Sequence, residues 1–250
     1  MNSYNPFSLK GKKILVTGAS SGIGRAIAIE CAKAGAVLVV TGRNRQRLEE
    51  TLGLLPGSEH DLFVADINND AVIDELVATV PVLEGLVHCA GIVKTVPFPF
   101  VNKESLSLVM NTNFMAPTIL SAKLVKKKKL IKGASIVFIS SVSGTYCSVL
   151  GNSIYTASKS AVDGIAKGMA LDLAHQKIRV NTINPGMIDT AILKAGIITE
   201  EQLEADKKLY PLGRYGRPEE VAYAAIYLLS DASEWITGTN LLMDGGSTLQ

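Results

Sequence analysis

The sequence of 250 residues has little charge and no long apolar run. Only 19% of its residues are charged, against about a quarter in an average globular protein. Lys and Arg exceed Asp and Glu by two (25 against 23), so no strong electrostatic field would attract nucleic acid or a membrane surface. It lacks the run of about 18 apolar residues that a membrane-spanning helix needs, and residues 1–13 contain no apolar stretch like that of a secretory signal. We therefore expect a soluble, cytoplasmic protein that binds neither nucleic acid nor membrane.

Cysteine is also scarce. Cys31, Cys89 and Cys147 are odd in number and far apart, so they fit neither a disulfide framework nor a metal site. We expect them to be small buried hydrophobic residues in a reducing compartment, and we expect no bound metal.

What the sequence does contain is an alternation of two patterns. Short apolar runs alternate with longer amphipathic stretches, which indicates parallel strands covered on both faces by helices. The runs lie at 14–16, 37–40, 62–65, 86–87, 136–139, 180–183 and 241–243, and the predicted helices at 23–34, 45–55, 103–129, 153–173 and 218–229. This rhythm predicts an α/β protein with a doubly wound sheet. No linker or repeat divides the chain, so we expect one Rossmann domain over residues 1–250.

The segment 189–212 departs from this rhythm. It follows a predicted strand, contains Gly196 and a mixed-charge stretch, and ends near Pro211. Ligands bind beyond the carboxyl ends of the strands in such sheets. We interpret the segment as a substrate lid, with an ordinary pair of surface helices as the alternative.

A glycine-rich loop, Thr17-Gly-Ala-Ser-Ser-Gly-Ile-Gly24, directly follows the first strand and precedes a helix. Glycines at this turn let the backbone approach a pyrophosphate at the positive end of the helix. The same residues spell G-x-S-x-G, the nucleophile elbow of a hydrolase. Too few residues precede the loop for the upstream strand and oxyanion loop of that fold, so the sequence favours dinucleotide binding.

The second strand ends in Arg43 rather than in the carboxylate that commonly binds the adenosine 2′-hydroxyl about 20 residues past the glycines. A guanidinium at this place would pair with a 2′-phosphate, so we expect NADP(H) rather than NAD(H). The alternative is that Arg43 is a solvated loop residue. Asp66, after the third strand, would accept a hydrogen bond from the adenine amino group or act as an ordinary turn aspartate.

Tyr155 and Lys159 are four residues apart on a predicted helix and therefore share one face. A neighbouring ammonium stabilises a phenolate, which makes it easier for a tyrosine to give its proton to a developing alkoxide. Ser141, just beyond a strand, is placed to hold the substrate oxygen. These residues predict proton transfer beside a bound dinucleotide.

With these residues, the whole chain closely resembles the short-chain dehydrogenase/reductase family. The matching motifs are the loop at 17–24, Ala90-Gly91, Asn113, Ile-Ser-Ser-Val at 139–142, Tyr155-x-x-x-Lys159, Asn-Pro-Gly at 184–186, and C-terminal motifs at 211–214, 217–222, 236–238 and 244–246. The resemblance implies a sheet of seven strands and a catalytic tetrad of Asn113, Ser141, Tyr155 and Lys159. In that tetrad Tyr155 is the acid/base, Ser141 holds the substrate, Lys159 anchors the ribose, and Asn113 holds a relay water.

The sequence also predicts which residues bind the cofactor, and it departs from the family at one motif. Those expected to bind the cofactor are Gly18, Ser20, Ser21, Gly22, Ile23, Gly24, Arg43, Asp66, Ile67, Ala90, Gly91, Tyr155, Lys159, Pro185, Gly186, Ile188 and Thr190. The sequence departs from the family in having His88-Cys89 where Asn-Asn is usual. We expect His88 to be structural, and the resemblance implies that Cys89 removes a side-chain brace of the sheet.

The sequence thus predicts an NADPH-dependent reductase of ketones. The first candidate substrate is a 3-oxoacyl thioester, because the bacterial 3-oxoacyl carrier-protein reductases are similar in overall pattern. Sugars or other small carbonyl compounds are the alternative substrates, and a cofactor-sensing protein without turnover is the alternative class. The run Lys126 to Lys129 is explained either by the dipole of a helix C-terminus or by docking of an acidic acyl carrier protein. The resemblance also implies a homotetramer with 222 symmetry.

Overall fold

The protein is described by a computed structural model, which covers residues 4–190 and 199–249. Within these ranges the chain forms one sheet of seven parallel strands in the order β3-β2-β1-β4-β5-β6-β7. The strands are β1 (Lys13–Thr17), β2 (Val37–Gly42), β3 (Asp61–Val64), β4 (Leu83–His88), β5 (Leu130–Ile139), β6 (Arg179–Pro185) and β7 (Asn240–Met243). The α/β fold and the seven strands are confirmed.

Helices cover both faces of the sheet. They are α1 (Gly22–Lys33), α2 (Arg45–Gly53), α3 (Asp70–Thr79), α4 (Lys103–Met110), α5 (Ala116–Lys126), a distorted turn α6 (Val142–Thr145), α7 (Ser153–Leu173), α8 (Glu200–Lys207) and α9 (Pro218–Leu229). Side chains of α1, α2 and α9 pack in one core cluster, and those of α3, α5 and α7 pack in the other. Because successive strand residues point to opposite faces, Leu15 joins one cluster while Ile14 and Val16 join the other. In the described ranges, no helix is long and apolar enough to cross a membrane.

The prediction of one continuous helix over 103–129 is wrong. The stretch predicted as a single helix over 103–129 is interrupted by a π-helical turn, Asn111–Met115, between α4 and α5. Pro117 has no N–H, so the α-helical hydrogen bond to the Asn113 carbonyl cannot form. The Asn113 side chain also bonds the main chain of Ile92, accepting at 2.8 Å and donating at 2.9 Å, which holds the turn against the segment after β4.

The predicted lid, 189–212, lies partly outside the described residues, which omit 191–198. Its later part contains α8, whose N-terminus is capped by Thr199. The end of the segment is joined to the C-terminal turn, because the Leu212 N–H donates to the Gly245 carbonyl at 3.3 Å. Closure over a substrate stays a prediction.

His88, at the end of β4, is 3% exposed and stacks on Phe138 with ring centroids 4.7 Å apart. Its Nε2 lies 2.8 Å from the Ser121 hydroxyl, which itself donates to the Pro117 carbonyl, so Nε2 carries the proton. Nδ1 is buried and has no hydrogen bond within the described part of the chain. Burial lowers the pKa of His88 to about 3, and the ring is therefore neutral.

This histidine makes the protein acid-sensitive. In the unfolded chain its pKa is close to 6.5, so below that pH the unfolded state takes up a proton that the folded state does not. Stability contributed by the neutral ring is present above pH 6.5 and is lost as the pH falls towards 3. We predict that between pH 6.5 and pH 5 the free energy of unfolding falls by about 1.6 kcal/mol more in the wild type than in His88→Asn.

Denaturant titrations at several pH values test this difference. His175→Asn is the control, because it removes an exposed histidine rather than a buried one. The account of His88 fails if the wild type and His88→Asn lose stability in parallel as the pH falls.

Candidate active site

A cleft of about 900 Å³ opens at the carboxyl ends of β1 and β4, where the strand order reverses. This is the place at which doubly wound sheets bind ligands. Every residue that the sequence predicts to bind the cofactor lines it: Gly18, Ser20, Ser21, Gly22, Ile23, Gly24, Arg43, Asp66, Ile67, Ala90, Gly91, Tyr155, Lys159, Pro185, Gly186, Ile188 and Thr190. The structure therefore brings the predicted set together in one site.

The glycine loop is too tightly packed to hold side chains at two positions. A Cβ on Gly24 would come within 2.3 Å of the Gly18 carbonyl oxygen, and one on Gly18 within 2.6 Å of the Ala90 nitrogen. Gly18 also has a φ of +69°, which L-residues with side chains rarely adopt. The loops after β1 and β4 thus touch through their backbones, and the N-terminus of α1, with no acidic residue in its first turn, faces the cleft. This is a suitable place for a pyrophosphate.

Two arginines line the end of the cleft beside β2. Arg43 and Arg47 are both exposed, and neither guanidinium has a hydrogen bond or ion pair with any residue that the structure describes. By contrast, Arg25 behind them is held by Glu50 at 3.1 Å. Sequence reasoning missed Arg47, although the recurrence of arginine within 43–47, between β2 and the first turn of α2, was a usable signal. The two guanidinium groups, unpaired within the described ranges, could together hold a phosphate.

Asp66 lies on the other side of this end of the cleft. Its Oδ1 accepts from the main-chain N–H of Asn68 at 3.1 Å and from the Asn68 side-chain amide at 3.0 Å. Asp66 is therefore a turn residue, and its second oxygen, which bonds no residue that the structure describes, could accept from a ligand.

Tyr155 and Lys159 project from one face of α7 into the opposite end of the cleft. The Lys159 ammonium lies 5.7 Å from the centroid of the Tyr155 ring and donates to the Ile139 carbonyl at 2.8 Å. Lys159 is 7% exposed, whereas Tyr155 is half-buried, and its hydroxyl has no partner among the described residues. The phenol is thus free to meet a substrate, with a cation behind it.

Ser141 follows β5 and lines the same end of the cleft. Its hydroxyl oxygen accepts from the Ser143 N–H at 3.1 Å, so the hydroxyl proton remains available. This arrangement suits a hydrogen bond from Ser141 to a substrate oxygen.

Asn113 is buried behind the cleft wall rather than in the cleft. Its side chain is fully engaged with Ile92 and with the Ser158 hydroxyl, to which it donates at 3.0 Å. A relay water would therefore bind its main-chain carbonyl, which Pro117 deprives of an α-helical partner. Asn113 and Lys159 both lie against Gly91. A Cβ added to Gly91 would be 3.3 Å from Asn113 Oδ1 and 3.7 Å from Lys159 Nζ, so the two side chains are close to each other.

The segment after β6 carries Ile188 and Thr190. Its backbone pairs with Gly216, whose N–H donates to the Met187 carbonyl at 3.0 Å and whose carbonyl accepts from Asp189 at 2.8 Å. A Cβ on Gly22 would lie 3.6 Å from the Thr190 methyl. The segment thus extends from the catalytic end of the cleft to the glycine loop, where it would contact a bound dinucleotide along its length.

The cysteines differ from the sequence prediction. Cys31 is buried, but Cys89 is only half-buried and Cys147 is exposed, because Cys147 lies in the loop between Ser141 and Tyr155. Burial of its thiol raises the pKa of Cys89 to about 12, so the thiol is protonated.

The backbone at Cys89 is held to the loop after β1 by Thr17. The Thr17 hydroxyl accepts from the N–H groups of Cys89 and Ala90 at 3.2 and 3.3 Å.

Comparisons with known proteins agree with this geometry. A family model described as enoyl-(acyl carrier protein) reductase matches residues 18–248. The chain is 33% identical to dehydrogenase/reductase SDR family member 6 of Rattus norvegicus over 245 residues, which cover 96% of this chain and 99% of that protein. It is 35% identical to the 3-oxoacyl-(acyl-carrier-protein) reductase FabG of Thermotoga maritima over 246 residues, with 95% and 98% covered.

A solved structure described as a putative gluconate dehydrogenase from Agrobacterium tumefaciens superposes with a TM-score of 0.91 at 28% identity and covers 98% of this chain and 99% of that one. The fold, the residues of the cleft and the relatives all indicate the same family. The chain belongs to the short-chain dehydrogenase/reductase family, whose members are oxidoreductases that use a nicotinamide cofactor to interconvert carbonyl and alcohol groups.

Proposed function

We propose that the protein is an NADPH-dependent reductase that converts a ketone into a secondary alcohol, and that its substrate is a 3-oxoacyl thioester. The observation that carries the proposal is that one cleft contains both a cationic site and a group of residues suited to proton transfer. Two arginines that have no partner among the described residues lie at one end, and Tyr155, Lys159 and Ser141 lie at the other.

The residues of the chain divide the work. When bound, the nicotinamide supplies a hydride to the carbonyl carbon. Ser141 donates a hydrogen bond to the carbonyl oxygen, and Tyr155 donates the proton that completes the alcohol. Lys159 stabilises the phenolate left on Tyr155 and holds the ribose, while Asn113 orients the water that returns the proton.

The choice of phosphate-bearing cofactor follows from charge. A 2′-phosphate beside Arg43 and Arg47 would gain charge-assisted hydrogen bonds, whereas the end of β2 offers no carboxylate for a free 2′-hydroxyl. The cleft volume, the glycine cradle and the free guanidinium groups fit a dinucleotide of this kind.

The substrate assignment rests on an apolar entrance. The loop between Ser141 and Tyr155 carries exposed Val149 and Leu150, and its Gly151 carbonyl accepts from the Val96 N–H at 2.8 Å. An apolar chain would cover these side chains. The FabG relative supports a 3-oxoacyl substrate. Of the run Lys126 to Lys129, the exposed Lys126 to Lys128 would then be available to an acidic carrier protein, because Lys129 donates to the Ala78 and Val80 carbonyls. The likeness to a putative gluconate dehydrogenase favours, as second candidate, a sugar or another small carbonyl compound.

Cofactor preference tests the arginine site. We predict that NADPH outperforms NADH in kcat/KM and that Arg43→Ala lowers the NADPH value about ten- to a hundredfold while leaving the NADH value nearly unchanged. Arg45→Ala is the matched control, since Arg45 pairs with Glu49 at 3.4 Å and lies outside the cleft. Equal use of the two cofactors by the wild type would remove the assignment.

Proton donation is tested at Tyr155. Because Tyr155→Phe removes only the phenolic oxygen, folding and NADPH binding should persist while turnover falls about 10²–10⁴-fold. Tyr223→Phe, on exposed α9 surface, is the control and should keep full activity. If Tyr155→Phe retains more than about a tenth of wild-type turnover, the proton comes from elsewhere.

Assembly is tested by light scattering. Gly164 and Gly168 on α7 leave open space where side chains would be, and Leu171 beside them is 80% exposed. β7 is a sheet edge in the described topology. We predict that α7 and β7 each pair across a two-fold axis to give a tetramer. A stable 26.6 kDa monomer at micromolar concentration would contradict this.

A further inference from the structure

Asp163 is a buried carboxylate that the mechanism above does not use. It lies on α7 four residues beyond Lys159, which itself lies four beyond Tyr155, so the three share one face of the helix. Asp163 is 2% exposed. A buried carboxylate is costly unless it is well hydrogen-bonded, and its contacts are therefore informative.

One oxygen of Asp163 receives two hydrogen bonds. Oδ2 accepts from the Thr145 hydroxyl at 2.6 Å and from the Asn184 side-chain amide at 2.9 Å. Oδ1 is buried without a hydrogen bond in the described ranges. The hydrogen bonds of the carboxylate among the described residues are thus the two that Oδ2 accepts.

Asn184 continues the connection to the catalytic serine. It is fully buried in β6, and the same amide nitrogen that donates to Asp163 donates to the Ser141 carbonyl at 3.0 Å. Ser141 begins the turn that Thr145 ends. Both ends of this turn are therefore linked to one carboxylate on the helix that carries Tyr155 and Lys159.

The turn itself has an unusual backbone that needs such support. Gly144 has a φ of +152°, and a Cβ there would lie 3.1 Å from the Ser160 nitrogen, so the turn is pressed against α7. Ser143 also has non-helical angles within it. A turn without regular helical bonds depends on outside contacts to keep one conformation. The conformation of the turn then determines where the Ser141 hydroxyl lies.

We propose that Asp163 is a positioning residue, which fixes Ser141 relative to Tyr155 through Asn184 and Thr145. Its effect on catalysis rests on the proposed function, because only then does Ser141 hold a substrate oxygen. Its hold on the turn does not depend on that function. A displacement of about 1 Å at a reacting centre can lower turnover about a hundredfold.

The first test compares two replacements of Asp163. Asp163→Asn keeps an acceptor oxygen for both donors, and we expect its kcat to stay within about threefold of the wild type. Asp163→Leu has no acceptor, and we expect kcat to fall about 10–100-fold while the KM for NADPH stays within about twofold. Asp172→Leu, at an exposed position on the same helix, is the matched control and should behave as wild type.

Hydrogen–deuterium exchange gives a readout that needs no substrate. Asp163→Leu should accelerate exchange of the amides in 141–147, whereas Asp163→Asn should not. Thr145 is exposed, so Thr145→Val removes one donor without altering the core and keeps the test decisive if Asp163→Leu fails to fold. It should accelerate the same amides and lower kcat about three- to tenfold.

Exchanging the pair separates positioning from simple stabilisation. In the double variant Asp163→Asn/Asn184→Asp the contact between α7 and β6 can form again, but the carboxylate now on β6 has no proton for the Ser141 carbonyl. Compared with Asn184→Asp alone, we expect the double variant to recover thermal stability without recovering kcat.

Two results would overturn the proposal: recovery of kcat together with stability in the double variant, or unchanged exchange in 141–147 when the acceptor or the Thr145 donor is removed. If the wild-type protein reduces no carbonyl compound, the proposed function fails, and the exchange measurements still decide whether Asp163 holds the turn.

Discussion

The active site depends on how α7 is held against the carboxyl end of β5. The Lys159 ammonium donates to the Ile139 carbonyl at 2.8 Å, and the Ser140 hydroxyl donates to the Lys159 carbonyl at 3.3 Å. Lys159 is buried without an ion pair among the described residues, which costs free energy. Proteins tolerate such a cost mainly at functional sites. Because the same lysine lies behind the Tyr155 ring, the contact that fixes the helix also places the cation that assists proton transfer in the proposed mechanism.

A second close contact completes the frame. Gly18 allows the loop after β1 to touch the backbone after β4, and the Thr17 hydroxyl ties the two loops together. The contact between α7 and β5 fixes the end of the cleft that holds Tyr155 and Lys159. The contact between the loops after β1 and β4 fixes the glycine loop, where the proposed function places a pyrophosphate. The seven-stranded sheet fixes the distance between them, so the cleft is built from backbone geometry before any specific side chain is considered.

Local patterns made much of this predictable. The glycine spacing after a strand and the Tyr155–Lys159 spacing on a helix are properties of neighbouring residues, and the structure places both in the cleft. Pro117 was a local signal that the helix over 103–129 is interrupted, but the position of the π turn depends on long-range bonds between Asn113 and Ile92, which local patterns do not show. Asp163 was missed for a similar reason: an aspartate within a helix resembles a surface residue until the strand and turn that bury it are known. Cys147 was predicted buried but is exposed, since the whole of residues 145–150 in the loop that carries it is exposed.

The proposed function requires this cleft to transfer a hydride from NADPH to a ketone. The most direct measurement is the loss of absorbance of reduced nicotinamide when the purified protein is mixed with NADPH or NADH and with each of a panel of 3-oxoacyl thioesters, sugars and diketones. We predict oxidation of NADPH, faster than that of NADH, with a 3-oxoacyl thioester as the best substrate. Oxidation of neither nucleotide with any carbonyl compound, and reduction of neither NADP⁺ nor NAD⁺ with the corresponding alcohols, would contradict the account.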